Sequence, residues 1–431
     1  MRYLTLILAL CLLPAAAPAQ EGDSAEPLEL HGNVAVSWYH FDDATDSELD
    51  YDRPSLRLNL KAFRLMGSHL NARVRFRTRY NDRAQPKGTA PETEWRNRVY
   101  EVSLSYDNPE SPFGFQAGRI ISRDMGGVGY TDGVLLTQRV GDSWRVGALA
   151  GTRPDWETSE FQTDITKLGA FVGFERGDRA GKRFEMRLAA VGEYHESTLS
   201  REFLYVRSSY HHERMFDVYG TAQLDVNRAW REDVAGESVT LSALFLRGRY
   251  RATETITVGA GYDTRENYYT YETRSIPDSL FTNAARYGAR LSGDAKLPWK
   301  SRVHVEVGMR DVENNADETI FYSGQLSKRD LFYKRMRASL RFAGFISDYA
   351  TGANPSLRLS SSFRGGHSLH TSFGLYAYTV ENGGPDRLNQ WARVGGQAQL
   401  PARLYVSGEY QYDWGDDSEG HRLLGELGYR F

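Results

Sequence analysis

The chain has 431 residues, with 53 Lys and Arg against 56 Asp and Glu, a single Cys and a mean hydropathy of -0.55. Only 40% of residues are apolar, and no apolar run of about 18 residues lies beyond the N-terminus, which excludes a helical membrane protein. A net charge of -3 also lacks the basic surplus by which a nucleic-acid binder holds its partner.

Residues 1–19 have the plan of a secretory signal. Arg2 supplies the positive start, Leu4 to Leu13 the apolar core and Ala17-Pro18-Ala19 a small-x-small cleavage site. Cys11 sits in that core behind Leu10, which is too large for a lipoprotein signal, and reads as an ordinary apolar residue. Cleavage after Ala19 leaves no thiol, so disulfides, Cys-ligated metals and a C-x-x-C-H haem attachment are excluded. Residues 20–27 form a short periplasmic lead-in, and 28–431 carry the pattern that decides the fold.

That pattern is period-two alternation. In chain order it predicts strands over 28–41, 54–63, 70–80, 98–106, 113–122, 132–140, 144–151, 166–175, 183–194, 200–209 and 215–226. The second half gives 238–248, 254–263, 284–294, 301–311, 319–326, 331–343, 355–364, 368–379, 390–400, 403–412 and 421–431. In the third strand Leu70, Ala72, Val74, Phe76, Thr78 and Tyr80 form one face, and Asn71, Arg73, Arg75, Arg77 and Arg79 the other. A soluble sandwich has no use for four arginines on a core face. A wide barrel does, with the apolar row in lipid and the arginines in water. Comparable apolar rows recur at Leu56 to Ala62, Phe184 to Ala190, Val303 to Met309, Met336 to Phe342 and Leu369 to Ala377. The expectation is an all-β, antiparallel transmembrane barrel of about 22 strands, in a range of 20 to 24, without a plug domain.

Connections alternate as a barrel requires. Tight turns at Met66-Ser68, Gly141-Ser143, Ser327-Asp330, Arg364-Gly366 and Pro401-Ala402 fall on one side. Longer polar stretches at 42–52, 81–95, 152–165, 264–283, 380–389 and 413–420 fall on the other. Tyr80, Tyr106, Phe113, Tyr250, Tyr262, Tyr410 and Tyr412 sit near strand ends, as interfacial girdles do. The final strand runs Leu423, Gly425, Leu427, Tyr429, Phe431, ending on an aromatic. In this it resembles the porin-like outer-membrane proteins of Gram-negative bacteria. The resemblance implies an outer-membrane location among lipid and lipopolysaccharide, with Tyr429 and Phe431 as the signal read by the barrel assembly machinery.

Motifs for chemistry are weak. None of the ten histidines, His31, His40, His69, His195, His211, His212, His304, His367, His370 and His421, has H-E-x-x-H spacing. Gly141-Asp142-Ser143 is similar to the nucleophile block of one lipase family, but it falls in a hairpin turn with no pocket for a base. Gly126, Gly127, Gly129 and Gly133 miss the dinucleotide spacing and read as a tightly turned outer loop. The acidic loops around Asp42 and Asp416 do not fit an EF-hand. No cofactor, metal or catalytic residue is expected, and an enzyme is the last of the readings.

The informative face points inward. Parity puts Arg57, Lys61, Arg73, Arg75, Arg77, Arg79, Arg183, Arg187, Arg286, Arg290, Arg302, Arg310, Arg335, Arg337 and Arg341 in the lumen, against Glu185, Glu306, Asp217 and Asp225. Rows of cations concentrate anions and lower their entry barrier, whereas arginines paired with carboxylates only stiffen the wall. One sequence leaves the two even. The leading expectation is a monomeric channel for passive diffusion of small hydrophilic, anionic solutes, narrowed by in-folded loops such as 81–95, 264–283 and 312–318. Barrels of about 22 strands are ordinarily plugged. A plugless one therefore also resembles the sheath of a porin-cytochrome conduit, with a periplasmic multihaem cytochrome inside, although the cysteine pair of some such barrels is missing. A third resemblance is to exporters of anionic polysaccharide, which have fewer strands.

Overall fold

The computed structural model describes residues 27–45, 50–83, 94–155, 158–178, 180–276, 285–313, 318–381 and 383–431. The expected signal, 1–19, lies outside these residues, as does most of the 20–27 lead-in. Strands alternate along the chain with short turns and longer loops. The first half comprises β1 (Glu29–Asp43), β2 (Tyr51–Leu65), β3 (Leu70–Arg83), β4 (Glu94–Asp107), β5 (Phe113–Ile121), β6 (Tyr130–Val140), β7 (Trp144–Thr152), β8 (Ile165–Gly177), β9 (Lys182–His195), β10 (Thr198–His212) and β11 (Phe216–Val226). A short helix, α1 (Trp230–Ala235), precedes β12 (Val239–Arg251), β13 (Ile256–Arg265), β14 (Arg286–Leu297), β15 (Ser301–Val312), β16 (Thr319–Arg329) and β17 (Met336–Ile346). The circuit finishes with β18 (Ala350–Ala353), β19 (Ser356–Ser362), β20 (Ser368–Val380), β21 (Asp386–Gln399), β22 (Leu404–Gly415) and β23 (Gly420–Arg430).

Every strand pairs antiparallel with its neighbours. β1 closes the ring on β23, from Asn33 opposite Arg430 to Asp43 opposite Gly420. β18 and β19 both lie between β17 and β20 and form one strand position interrupted at Asn354 and Pro355, so the 23 segments make a barrel of 22 strands. Pro355 has no N–H for the ladder, which accounts for the break.

Many strands run a few residues beyond the sequence expectation, as β2 (Tyr51–Leu65 against 54–63) and β4 (Glu94–Asp107 against 98–106) do, and one turn is displaced. β16 continues through Arg329, and the turn expected at Ser327-Asp330 spans 330–335 instead. The strand expected over 331–343 begins only at Met336, so Arg335 stands in that turn at φ 80. Its N–H donates to Asp330 Oδ1 at 2.9 Å; the carboxylate caps the turn and holds the residues ahead of Met336 out of the ladder. The loop expected over 413–420 is also shorter, because β22 runs to Gly415 and β23 resumes at Gly420.

The barrel shows lipid its apolar rows. Val305, Val307, Leu340, Phe342, Leu369, Phe373 and Leu427 are 45–53% exposed, a continuous apolar surface that water does not tolerate and a bilayer does. Ring contacts from Trp144 to Phe174, Phe174 to Phe184 and Tyr210 to Phe216 belt the short-turn end. Tyr412 and Trp414 stack near the other end.

Candidate functional site

β2, β3 and β4 build the basic rows. Their ladder sets Arg57 opposite Arg77, Asn59 opposite Arg75 and Lys61 opposite Arg73. Arg77 and Arg79 in turn stand opposite Arg98 and Arg96 of β4. Like charges facing each other across a ladder are destabilising, and here they extend over three strands. Few carboxylates relieve them. Arg57 donates to Glu426 Oε2 at 2.7 Å, and Arg73 comes no closer than 3.9 Å to Glu101. Among the described residues no carboxylate is within ion-pair reach of Lys61, Arg75 or Arg77. A bulge leaves Tyr100 without a ladder partner, and the guanidinium carbons of Arg75 and Arg77 lie 5.9 and 5.6 Å from its ring centroid.

Opposite this wall the chain between β5 and β6, residues 122–129, folds into the barrel. Met125 and Val128 are buried with Ile120, Leu135, Leu149, Phe171, Ala189, Val191 and Phe203, and Tyr205 packs against the cluster. The alternate residues Val134, Leu136, Leu168, Leu188 and Leu204 remain exposed, so the cluster occupies the lumen face. The path needs glycine. Gly127 and Gly129 take φ of 83 and 69, open to glycine at little cost, and a Cβ on Gly126 would collide with the Tyr205 ring. Asp124 then accepts from Arg187 Nε at 3.0 Å and lies 3.9 Å from Arg145. Lys167 Nζ donates to the carbonyls of Val128 and Tyr130.

Arg123 of the same loop is exposed. It lines a remaining lumen cavity of about 770 Å³ together with Arg57, Lys61, Arg73, Arg75 and Arg430. Glu101 and Glu426 are the carboxylates there, so cations outnumber them six to two. Cations face this cavity from the loop and from the wall, which raises the local concentration of any anion.

Arginines on the loop-packed side have different company. Arg183 reaches Glu175 at 2.7 Å and Glu185 at 2.6 Å. At the long-loop mouth Arg201 grips Asp225 with two hydrogen bonds of 2.7 and 2.8 Å, and Arg231 of α1 reaches the same carboxylate at 3.0 Å. All three side chains are at most 3% exposed. Lys167 lies 3.2 Å from Glu193, which Arg153 approaches at 3.7 Å. Arg119 holds Asp132 through two bonds of 2.6 Å and donates to the Ser159 carbonyl at 2.7 Å. These pairs tie the β7–β8 loop and α1 over one side of the mouth, and Tyr271 adds the β13–β14 loop by donating its N–H to Ser200 Oγ.

The remaining sequence-nominated cations spread around the wall. Arg290 lies over Phe245 and Arg310 over Phe321, while Arg302 reaches Asp294 at 2.9 Å. Arg337 stands opposite Arg329, and Arg341 opposite Gln325. Arg286 opens β14 opposite Arg265. Arg335 belongs to the turn and not to a strand row. Of the loops expected to fold inward, 264–283 reaches Ser200 and Arg201 through Tyr271 and Tyr268, while 81–95 and 312–318 lie largely outside the described residues. The loop that narrows the lumen, 122–129, was expected on the outside. Its Gly-rich stretch was visible; the inward-seeking pair Met125 and Val128 beside it was the signal that separates the two. At the seam Phe431 exchanges N–H to carbonyl bonds of 3.0 and 3.1 Å with Gly32, and its ring lies 6.0 Å from that of Tyr429. Among the described residues no group of three His, Cys, Asp or Glu is arranged to hold a metal.

No protein-family model matches the chain, and no curated protein matches it. Solved structures do. A mutant of the ferric enterobactin receptor PfeA from Pseudomonas aeruginosa is similar at a TM-score of 0.59 and 10% identity, over 94% of this chain and 80% of that one. OccAB3 of Acinetobacter baumannii is similar at 0.48 and 10% identity over 94% and 99% of the two chains. OpdO of Pseudomonas aeruginosa is similar at 0.47 and 10% over 95% and 98%. The likeness is one of fold. With the closed ring of 22 strands and the apolar outer band, the chain has the architecture of a transmembrane β-barrel of the Gram-negative outer membrane.

Proposed function

We propose that the barrel is a passive channel for small hydrophilic solutes that favours anions. The observation that carries this is the cavity in which Arg123 faces Arg57, Lys61, Arg73 and Arg75, with two carboxylates against six cations. A positively lined constriction selects by charge without a catalytic step or cofactor. Arg77 and Arg79 extend the same wall, and Arg286, Arg290, Arg337 and Arg341 add cations elsewhere around the ring.

The test is reversal potential in planar bilayers under a potassium chloride gradient. Wild type is expected to favour chloride, and Arg75→Glu with Arg77→Glu to shift the potential toward cations. An unchanged potential in the double variant overturns the selectivity assignment. The conduit-sheath reading is weakened by the in-folded loop, which takes lumen volume that an enclosed cytochrome needs. A haem-bearing protein that co-purifies in stoichiometric amount from native outer membranes would reinstate it. For assembly, Tyr429 and Phe431 are proposed as the recognised terminus; removing Phe431 is expected to reduce the folded barrel recovered from membranes.

A further inference from the structure

The cavity between the loop and the basic wall has the build of a binding site as well as of a filter. We infer that it holds a small solute carrying two or more carboxylate or phosphate charges together with hydroxyl groups. This rests on the anion-channel reading and goes beyond it, because selectivity needs only a field, whereas binding needs placed partners.

Four features place them. The volume of about 770 Å³ lies within the range of roughly 300–1,000 Å³ usual for small-molecule sites. The cations come from separate directions: Arg73 and Arg75 from β3, Arg123 from the loop and Arg430 from β23. A chloride ion satisfies one of these at a time, while a multivalent solute bridges them. Their charge is only partly met, since the nearest carboxylate, Glu101, lies 3.9 Å from Arg73. Glu426 is taken by Arg57 and by the Tyr405 hydroxyl at 2.8 Å, and the Nε of Arg73 is buried with no hydrogen-bond acceptor. Guanidinium forks suit carboxylate and phosphate oxygens bidentately. Finally, neutral polar groups ring the same space. Asn59 donates to Asn33 Oδ1 at 3.0 Å, and Gln397 and Ser407 complete a lining able to hydrogen-bond hydroxyls.

The juxtaposition of Lys61 with Arg73 across the ladder has an unfavourable energy that a bound polyanion relieves. Binding must remain weak enough for release, so the site slows a multivalent solute in transit without trapping it.

Block of the chloride current measures this directly. Purified barrels in planar bilayers receive citrate, glucose 6-phosphate, acetate or sucrose in turn. Citrate or glucose 6-phosphate is expected to block at a concentration at least about tenfold below that of acetate, with sucrose inert. Block by citrate alone assigns carboxylates, by glucose 6-phosphate alone phosphates, and by both the shared oxyanion chemistry. Arg123→Gln and Arg73→Gln are expected to raise the half-blocking concentration about tenfold, while Arg302→Gln, on β15 and outside the cavity lining, leaves it unchanged. Equal block by acetate and citrate in a channel that still favours chloride overturns the site and spares the channel. A channel without chloride preference overturns the underlying reading instead. Recovery of the folded form of each variant, read from its strand signal in circular dichroism, separates lost binding from lost fold.

Discussion

The walls on either side of the lumen are built from one residue type in one alternation and do opposite things with it. On β8–β11 three arginines meet carboxylates: Arg183 with Glu175 and Glu185, Arg187 with Asp124, Arg201 with Asp225. There the charges hold loops down and the lumen is filled. On β2–β4 Arg57 faces Arg77, Lys61 faces Arg73, and Arg77 and Arg79 face Arg98 and Arg96, while Glu101 stands opposite Arg75, and the lumen is open. An arginine in a barrel wall is thus structural or solute-facing according to its cross-strand partner and to whether a loop comes down upon it.

The largest effect expected from disturbing this contrast is at Asp225. Asp225→Ala leaves Arg201 and Arg231 buried without a counter-charge, which costs about 3–5 kcal/mol and is expected to lower the urea midpoint of the reconstituted barrel. Arg77→Gln on the other wall is expected to leave that midpoint unchanged or raise it, since it removes the like-charge opposition to Arg57 and Arg98. Equal losses from both would erase the distinction. Met125→Ala comes next. Removing a buried side chain of this size costs about 2–5 kcal/mol, and because the loss falls on the in-folded loop, single-channel conductance is expected to rise and to fluctuate.

Charge reversal separates the walls by function. Arg183→Glu turns attraction to Glu175 and Glu185 into repulsion, so stability is expected to fall with little change in reversal potential, the inverse of reversing Arg75 and Arg77. A smaller change attends Gly127→Ala, where a Cβ at φ 83 costs roughly 1–2 kcal/mol; a modest rise in conductance is the readout. Smallest is the effect of salt. Raising ionic strength from about 0.1 to 1 M shortens the screening length from about 10 to 3 Å. Anion preference set by the solvated wall is expected to decline, and unfolding of the buried pairs to change little.

Much of this was legible in the chain. All 22 strand positions follow from alternation, because a strand's side chains point to opposite faces in turn and one face had to meet lipid. Strand ends were less legible, at Arg335, Gly415, Tyr51 and Glu94 among others, since turn capping by Asp330 and extension of hairpins beyond the membrane leave no apolar trace. The site was half legible. Its wall residues were readable from parity, whereas Arg123 and Asp124 looked like surface-loop charges. Arg201, inward on its strand, has no apolar row to frame it.

The sequence by itself therefore determined the barrel, its approximate size and which side chains look inward, because period and polarity are local properties. Only the tertiary structure decided which arginines are neutralised and which remain open to solute. Partnership across a ladder depends on register, turns and bulges, and the loop's inward course depends on Met125 and Val128 finding a pocket assembled from β5 to β10. No single segment encodes that pocket.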